Sequence, residues 1–271
     1  MGKVVFENVY PFDLEQTLDC GQCFRWTKND DSSFSGVINS VYLTVSYKDG
    51  SLTIESEKDI DEKLCYDYFD LGLDYAKIKD DLSKIHPVLD EASTYAGGIR
   101  ILRQDYFEAL ITFIISQNNN IGRIKGIVER LCENFGEKVD DTHYAFPTPE
   151  KLACLEPDDL SVIRAGFRHR YIIDAAKKVS SKEVDLKSLE NLSYDDAKKE
   201  LMKITGVGVK VADCVLLFGF HRLESFPLDV WMKRAMEVLF DNMSPEVFGE
   251  YGGIAQQYIF HYSRMHKELF E

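Results

Sequence analysis

From Val4 to about Ser56 the chain alternates apolar or β-branched residues with polar ones. The stretches "VVFENV", "QCFRWT", "SFSGVI", "VYLTVSY" and "SLTIES" carry the period of two expected of strands with one wet face. "KDG" between Tyr47 and Ser51 is a hairpin signal. From about Asp59 the period changes. In "DYFEALITFIISQ", Phe107, Leu110, Ile111, Ile114 and Ile115 fall at helical spacing, and "IGRIKGIVERLCENFG" repeats the pattern before ending in glycine. Helical patterns follow in "DDLSVIRAGF", "RYIIDAAKKVSS", "YDDAKKELMKI", "VKVADCVLLFGF", "DVWMKRAMEVLF" and "GGIAQQYIFHYSRMHKELF", separated by short polar or Gly/Pro breaks. The prediction is an α+β protein: a small N-terminal antiparallel β domain over 1–80, then an all-α region over 81–271.

Composition adds bounds. With 271 residues, 45% of them hydrophobic, the chain can bury a sizeable core in two or three subdomains. No apolar run approaches the roughly 18 residues of a membrane span, and "MGKVVFENVY" lacks a signal-peptide core. An intracellular protein without a membrane partner is expected, in the cytoplasm or nucleoid if the source is prokaryotic. The six cysteines are scattered, which fits a reduced compartment better than a disulfide framework. Cys20 and Cys23 form a C-x-x-C, but no second pair or nearby His pair accompanies it, so two semi-buried thiols are expected rather than zinc.

The net charge of −14 argues, taken alone, against a nucleic-acid partner. The charge is uneven, however. Glu55 to Glu91 is heavily acidic, whereas Arg123 with Lys125, Arg164 with Arg168, His169 and Arg170, and Lys233 with Arg234 form basic clusters.

"LMKITGVGVKVADC" resolves that tension. A helix ends near Ile204, "TGVG" turns tightly, and a second helix begins with free N–H groups pointing outward, an anion site. A helix, a Gly206-Val207-Gly208 hairpin and a second helix hold a nucleic-acid backbone through main-chain amides, with few basic side chains needed. Lys210 lies in the first turn of the second helix, where the macrodipole disfavours a cation. It is either a solvated surface lysine or an amine kept available as a nucleophile. Asp229 follows nineteen residues later in "FPLDVWMKR". It suits a helix N-cap, and its second oxygen is free to serve a cleft.

These residues resemble the helix-hairpin-helix glycosylase superfamily and, more narrowly, the eukaryotic-type 8-oxoguanine DNA glycosylases. "TGVGVKVADC" and "FPLDVWMKR" carry the resemblance. "CGQCFRW", "SQNNNIGRIKGIVERLCENFG", "AGFRHRY" and "GGIAQQYIF" extend it over most of the chain in the family's order. It implies a two-lobed helical glycosylase region with its hairpin motif at about 194–220. It also implies excision of 8-oxoguanine from double-stranded DNA, opposite cytosine, through a lysine Schiff base, with nicking of the abasic site by β-elimination and no organic cofactor; a monomer is expected, no metal ligand is assigned among the side chains, and hairpin carbonyls in the superfamily can hold a structural cation.

By position, Lys210 matches the nucleophile that attacks C1′, and Asp229 the acid that stabilises the developing sugar cation. Gly21 matches the glycine whose carbonyl reads N7–H, and Gln256 the reader of the Watson–Crick edge. Cys214 and Phe260 match the walls around the flipped base. Asn118, Arg123 and Arg168 match the side chains around the estranged cytosine, and Phe167 the aromatic wedge. Gly206, Val207 and Gly208 match the backbone-binding hairpin.

Base flipping requires such an arrangement, because a base inside the duplex is unreachable and its departure leaves a void to fill. Two departures from the family stand out: Trp231 occupies a usual histidine position near the phosphate, and Phe167 a common tyrosine position. No cysteine follows Cys214, so the C-terminal iron–sulfur cluster of endonuclease-III-like relatives is absent. The alternatives are a glycosylase for alkylated purines, whose relatives usually lack the lysine, and a non-enzymatic DNA-structure-binding module.

Overall fold

A computed structural model describes residues 2–270. Five antiparallel strands open the chain: β1 (Gly2–Phe6), β2 (Trp26–Lys28), β3 (Phe34–Ile38), β4 (Val41–Lys48) and β5 (Ser51–Ser56), in the spatial order β1-β5-β4-β3-β2. The register pairs Phe34 with Val45 and Val45 with Ile54. Trp26, Phe34, Leu43, Val45, Leu52 and Ile54 therefore share one face and are buried together, as a period of two requires. Asp49 and Gly50, both left-handed at φ 51° and 85°, close the β4–β5 hairpin where the sequence places it.

The β region departs from the sequence pattern in two places. A short helix, α1 (Leu14–Leu18), begins at Asp13, whose carboxylate accepts the Gln16 amide at 2.8 Å. One turn is too short for its periodicity to show. "QCFRWT" becomes a strand only from Trp26, because Gln22 is buried and bonded to other segments.

The helices that follow are α2 (Glu62–Tyr68), α3 (Tyr75–Ser83), α4 (Pro87–Ala96), α5 (Tyr106–Ser116), α6 (Ile121–Phe135), α7 (Pro149–Ala153), α8 (Arg168–Ser180), α9 (Tyr194–Leu201), α10 (Val209–Phe218), α11 (Val230–Leu239) and α12 (Gly252–Met265). Helix α5, apolar all round, is the axis of the helical region and packs against α6, α8 and α10. Pro157–Ile163 forms a 3₁₀ helix rather than an α-helix, and Arg164, left-handed at φ 58°, ends it.

The sheet and the helices have separate cores that exchange residues. Cys20 and Phe24 join the helical core, whereas Leu102 joins the sheet core. A buried polar centre ties the two together. Asp70, only 2% exposed, accepts from Tyr75 Oη at 2.9 Å, from Arg103 at 3.0 and 3.2 Å, and pairs with His221 Nε2 at 2.9 Å. His221 lies just past the end of α10, so this carboxylate fixes α10 from its C-terminal side.

Burial pushes the Asp70 carboxyl up, but the His221, Arg103 and Tyr75 contacts outweigh burial and hold it below the ordinary value. Its contribution to stability is then complete above about pH 4, the unfolded-state value, and is lost as pH falls through the lower folded-state value. Asp70→Ala is expected to destabilise by about 3–5 kcal/mol, because it strands buried partners. Asp70→Asn should flatten the acid limb of the stability–pH curve. Urea unfolding at pH 3 to 7 measures both effects.

Candidate active site

Most helices here begin with a side-chain cap. Asp61, Asp74, Asp105, Asn120, Thr148, Ser193 and Asp229 all accept first-turn amides. Helices α8, α10 and α12 do not. Helix α10 starts at Gly208, which has nothing within 4 Å of where a Cβ would stand. Its first-turn amides have no side-chain acceptor and lie at an open surface, ready for an anion.

The hairpin is held from behind. The Thr205 amide donates to Asp174 at 2.7 Å, and Val207 is buried. Gly206 is left-handed at φ 83°, and a Cβ there would stand 2.3 Å from the Tyr171 ring. Only glycine meets both demands. Asp213, one turn beyond Lys210, is buried and pairs with Lys198 at 2.7 Å and Tyr194 Oη at 2.6 Å. Ser225 Oγ donates to the Asp213 carbonyl at 2.8 Å. Helices α9 and α10 and the strand-like approach to Asp229 are thus joined at one residue.

Lys210 is half-buried in the first turn of α10. Its Nζ lies 3.5 Å from Ser116 Oγ and 5.6 Å from the centre of the Phe113 ring, both on α5. Asp229 caps α11: it accepts the Met232 amide at 2.7 Å through one oxygen. No ion pair joins Lys210 and Asp229 among the described residues. Both charges act on Cys214, which lies a turn inside α10. Burial pushes that thiol up to about 11, against the pull of the Lys210 ammonium, so Cys214 is a neutral wall. The arrangement is a half-buried amine and a half-buried carboxylate at the N-termini of two successive helices, with a protonated thiol sensing both.

Gln256 and Phe260 lie one turn apart on α12. Gln256 is buried, and its Nε2 donates to the Pro227 carbonyl at 3.3 Å, beside the approach to Asp229. Phe260 is half-buried beneath the Arg264 guanidinium. Gly21 is left-handed at φ 96° and faces Ile121. Its loop is clamped by Gln22, whose amide reaches Thr17 and Arg100 carbonyls at 2.8 Å and the Leu102 amide at 3.0 Å. No described donor takes up the Gly21 carbonyl. Cys20 and Cys23 are both free and buried, more deeply than the sequence suggested, and burial raises both thiols.

Asn118, Arg123, Phe167 and Arg168 meet where α5 ends. Asn118 is exposed and left-handed at φ 47°. Arg168 is only 3% exposed. It donates to the carbonyls of Gln117, Asn118 and Ala165, holding the turn that follows α5, whose own last-turn carbonyls at Ile114 and Ile115 accept from the Gln117 and Asn119 side chains. Four of the five Arg168 N–H groups are occupied in this way. Phe167 stands 54% exposed beside it, its ring 4.5 Å from the guanidinium. Arg123 is exposed and forms no ion pair among the described residues. Trp231 does not offer its N–H outward: the indole donates to Ser263 at 2.8 Å and packs on Phe270.

Sequence reasoning did not find Gln22, Ser116, Asp213 or Gln257. Ser116, Asp213 and Gln257 show in the sequence only as polar residues on otherwise apolar helices, and Gln22, in the loop of Gly21, carries no periodic signal.

Residues 4–110 match the 8-oxoguanine DNA glycosylase N-terminal domain, and residues 111–245 match the HhH-GPD superfamily of base excision DNA repair proteins. The chain is 42% identical to MBOgg1, solved with a low-affinity DNA ligand, with a TM-score of 0.93 over 98% of this chain and 96% of that one. It is 35% identical to the Clostridium acetobutylicum 8-oxoguanine glycosylase/lyase, solved with double-stranded DNA containing cytosine opposite 8-oxoG, with a TM-score of 0.89 over the same shares. A Saccharomyces cerevisiae N-glycosylase/DNA lyase is 39% identical over 152 residues, or 51% of this chain and 40% of the yeast protein. The chain thus spans less than half of that relative's length.

Gly206→Ala is expected to cost about 2–4 kcal/mol, combining a collision with Tyr171 and an unfavourable φ. Gly208→Ala, which meets open space, should cost well under half as much. Chemical denaturation of the two variants side by side measures the difference.

Proposed function

The chain belongs to the 8-oxoguanine DNA glycosylase family of the HhH-GPD superfamily and is a base excision repair enzyme of the N-glycosylase/DNA lyase kind; on that premise we propose that it removes 8-oxoguanine from duplex DNA through a Schiff base at Lys210 and then nicks the strand by β-elimination. The observation that carries this reading is the placement of Lys210 in the uncapped first turn of α10, its Nζ against Ser116 and Phe113 of α5, with Asp229 capping the next helix and no ion pair between the two among the described residues. The positive end of a helix disfavours an unpaired cation, so a lysine placed there suits an amine that acts as a nucleophile better than a structural charge.

In this mechanism the Lys210 ammonium first gives a proton to solvent, and the neutral amine attacks C1′ of the flipped nucleotide. The Nζ–C1′ bond forms, and the C1′–N9 bond breaks with its electron pair leaving on the base. Asp229 supplies negative charge beside the cation that develops at C1′ and O4′. Nζ then loses a proton, the C1′–O4′ bond opens as O4′ gains one, and an iminium links Nζ to C1′. Loss of a C2′ proton forms C2′=C3′ and expels the 3′-phosphate.

The remaining residues serve recognition. The uncapped amides at the start of α10, from Gly208 on, hold backbone phosphate together with the Gly206 turn, which lets a protein of net charge −14 bind DNA; Val207, expected to join them, instead gives its amide to the Ile204 carbonyl at 3.0 Å and turns its side chain into the core. Cys214 and Phe260 enclose the flipped base, the free Gly21 carbonyl accepts N7–H, and Gln256 reads the pairing edge. Phe167 and Asn118 enter the vacated space. Arg123 and the remaining N–H of Arg168 donate to cytosine's acceptors, which favours cytosine as the opposite base.

Borohydride trapping on a duplex with one 8-oxoguanine opposite cytosine tests the reading. Wild type should give a covalent protein–DNA adduct and Lys210→Gln none. Duplex binding by wild type without an adduct would leave a DNA-binding module instead. Asp229→Asn retains a good N-cap, so its stability should change by under about 1 kcal/mol, while the single-turnover excision rate falls about a hundredfold or more.

A further inference from the structure

A buried chain of hydrogen bonds runs behind the site and links the Gly21 loop to the Asp229 loop. Gln256 Nε2 donates to the Pro227 carbonyl at 3.3 Å. Gln257 Nε2 donates to Gln256 Oε1 at 2.7 Å. Cys20 Sγ donates to Gln257 Oε1 at 3.3 Å. Cys20, Gln256 and Gln257 are 1%, 5% and 4% exposed, so water does not compete.

The direction of the chain is dictated from one end. The Pro227 carbonyl can only accept, so Gln256 must turn its amide nitrogen toward it. Gln256 Oε1 then faces Gln257, which must answer with its own nitrogen. Gln257 Oε1 in turn needs a donor, and the Cys20 thiol provides one. Burial holds that thiol protonated, with its ionisation near 11. The thiol's other neighbour, the Thr17 carbonyl, lies farther away at 3.5 Å and already accepts from Gln22. Every amide orientation in the series is therefore fixed by bonding chemistry.

We propose that Gln257 is a positioning residue that fixes the polarity of the Gln256 amide, and so the way the flipped base's pairing edge is read. This rests on the proposed role of Gln256 in base recognition. With Gln257 and Pro227 engaged, Gln256 keeps one amide hydrogen and one carbonyl lone pair. That pair matches a guanine-type edge, whose O6 acceptor adjoins the N1–H donor. An adenine-type edge presents the reverse order. With the opposite side of the base held at the Gly21 carbonyl, a fixed amide accepts one order and refuses the other. Cys20 directly precedes Gly21, so the same chain sets the spacing between the two readers.

The test uses full-length protein and separates base reading from folding. Gln257→Met keeps the length but removes both bonds, and Gln257→Leu removes both in a shorter, branched side chain. Both variants should lower kcat/KM for 8-oxoguanine excision by about tenfold or more, the scale of one lost buried hydrogen bond. Their preference for 8-oxoguanine over 8-oxoadenine should shrink as well. Strand cleavage at a preformed abasic site, which has no base to read, should stay within about twofold of wild type.

Cys20→Ala should show the same selective loss, and Cys20→Ser, which restores a donor, should recover most of it. Unchanged excision by Gln257→Met, or equal loss of excision and abasic-site cleavage in both Gln257 variants, overturns the proposal. Failure of wild type to excise 8-oxoguanine would instead count against the function on which it rests.

Discussion

The structure is organised around one requirement: helix α10 must keep its first amides uncapped while holding Lys210 in place. Orphan amides normally cost a helix stability unless a side chain or water meets them. Here they remain at an open surface, and the helix is secured by other means. The Thr205 amide is bound by Asp174, Gly206 abuts Tyr171, Asp213 joins Lys198, Tyr194 and Ser225, and Asp70 holds His221 beyond the far end. The open end is affordable only because these contacts surround it.

The same construction recurs at each loop of the site. Gln22 clamps the loop of Gly21, Arg168 holds the turn that follows α5, and the Cys20–Gln257–Gln256 chain ties α12 to the approach of Asp229. In each case a buried polar side chain satisfies the backbone of a segment that must present its other face to a ligand. A fully apolar support would leave those carbonyls and amides unpaired, at a cost of about 1–3 kcal/mol each. Binding to a flipped base then requires little reorganisation, because the groups that read it are already held.

Arg168 illustrates how position in sequence and position in space differ. As a residue in a basic cluster it reads as a DNA contact. In the fold it is first a support for the Gln117–Asn118 turn, with one N–H left over, while Arg123 keeps its whole guanidinium exposed. Trp231 shows the same shift, since its single donor is turned inward to Ser263. The acidic body leaves room for an anionic partner at one place on α10, where main-chain amides stand uncapped at the surface.

The periodicities of two and 3.6 determined the strand and helix content, the order of the elements and the α+β class, because each follows from side-chain direction along a single element. The hairpin glycines, Lys210 and Asp229 were legible for the same reason: the hairpin geometry, the helix dipole and the N-cap are local. The 3₁₀ geometry at Pro157–Ile163 and the helix at Leu14–Leu18 escaped, being too short to have a period. Tertiary structure alone decided which polar residues stand behind the site. Gln22, Asp70, Asp213 and Gln257 bond to segments between 12 and 237 residues away. A hydrogen bond depends on distance in space, and no pattern along one chain records which distant carbonyl a buried amide will meet.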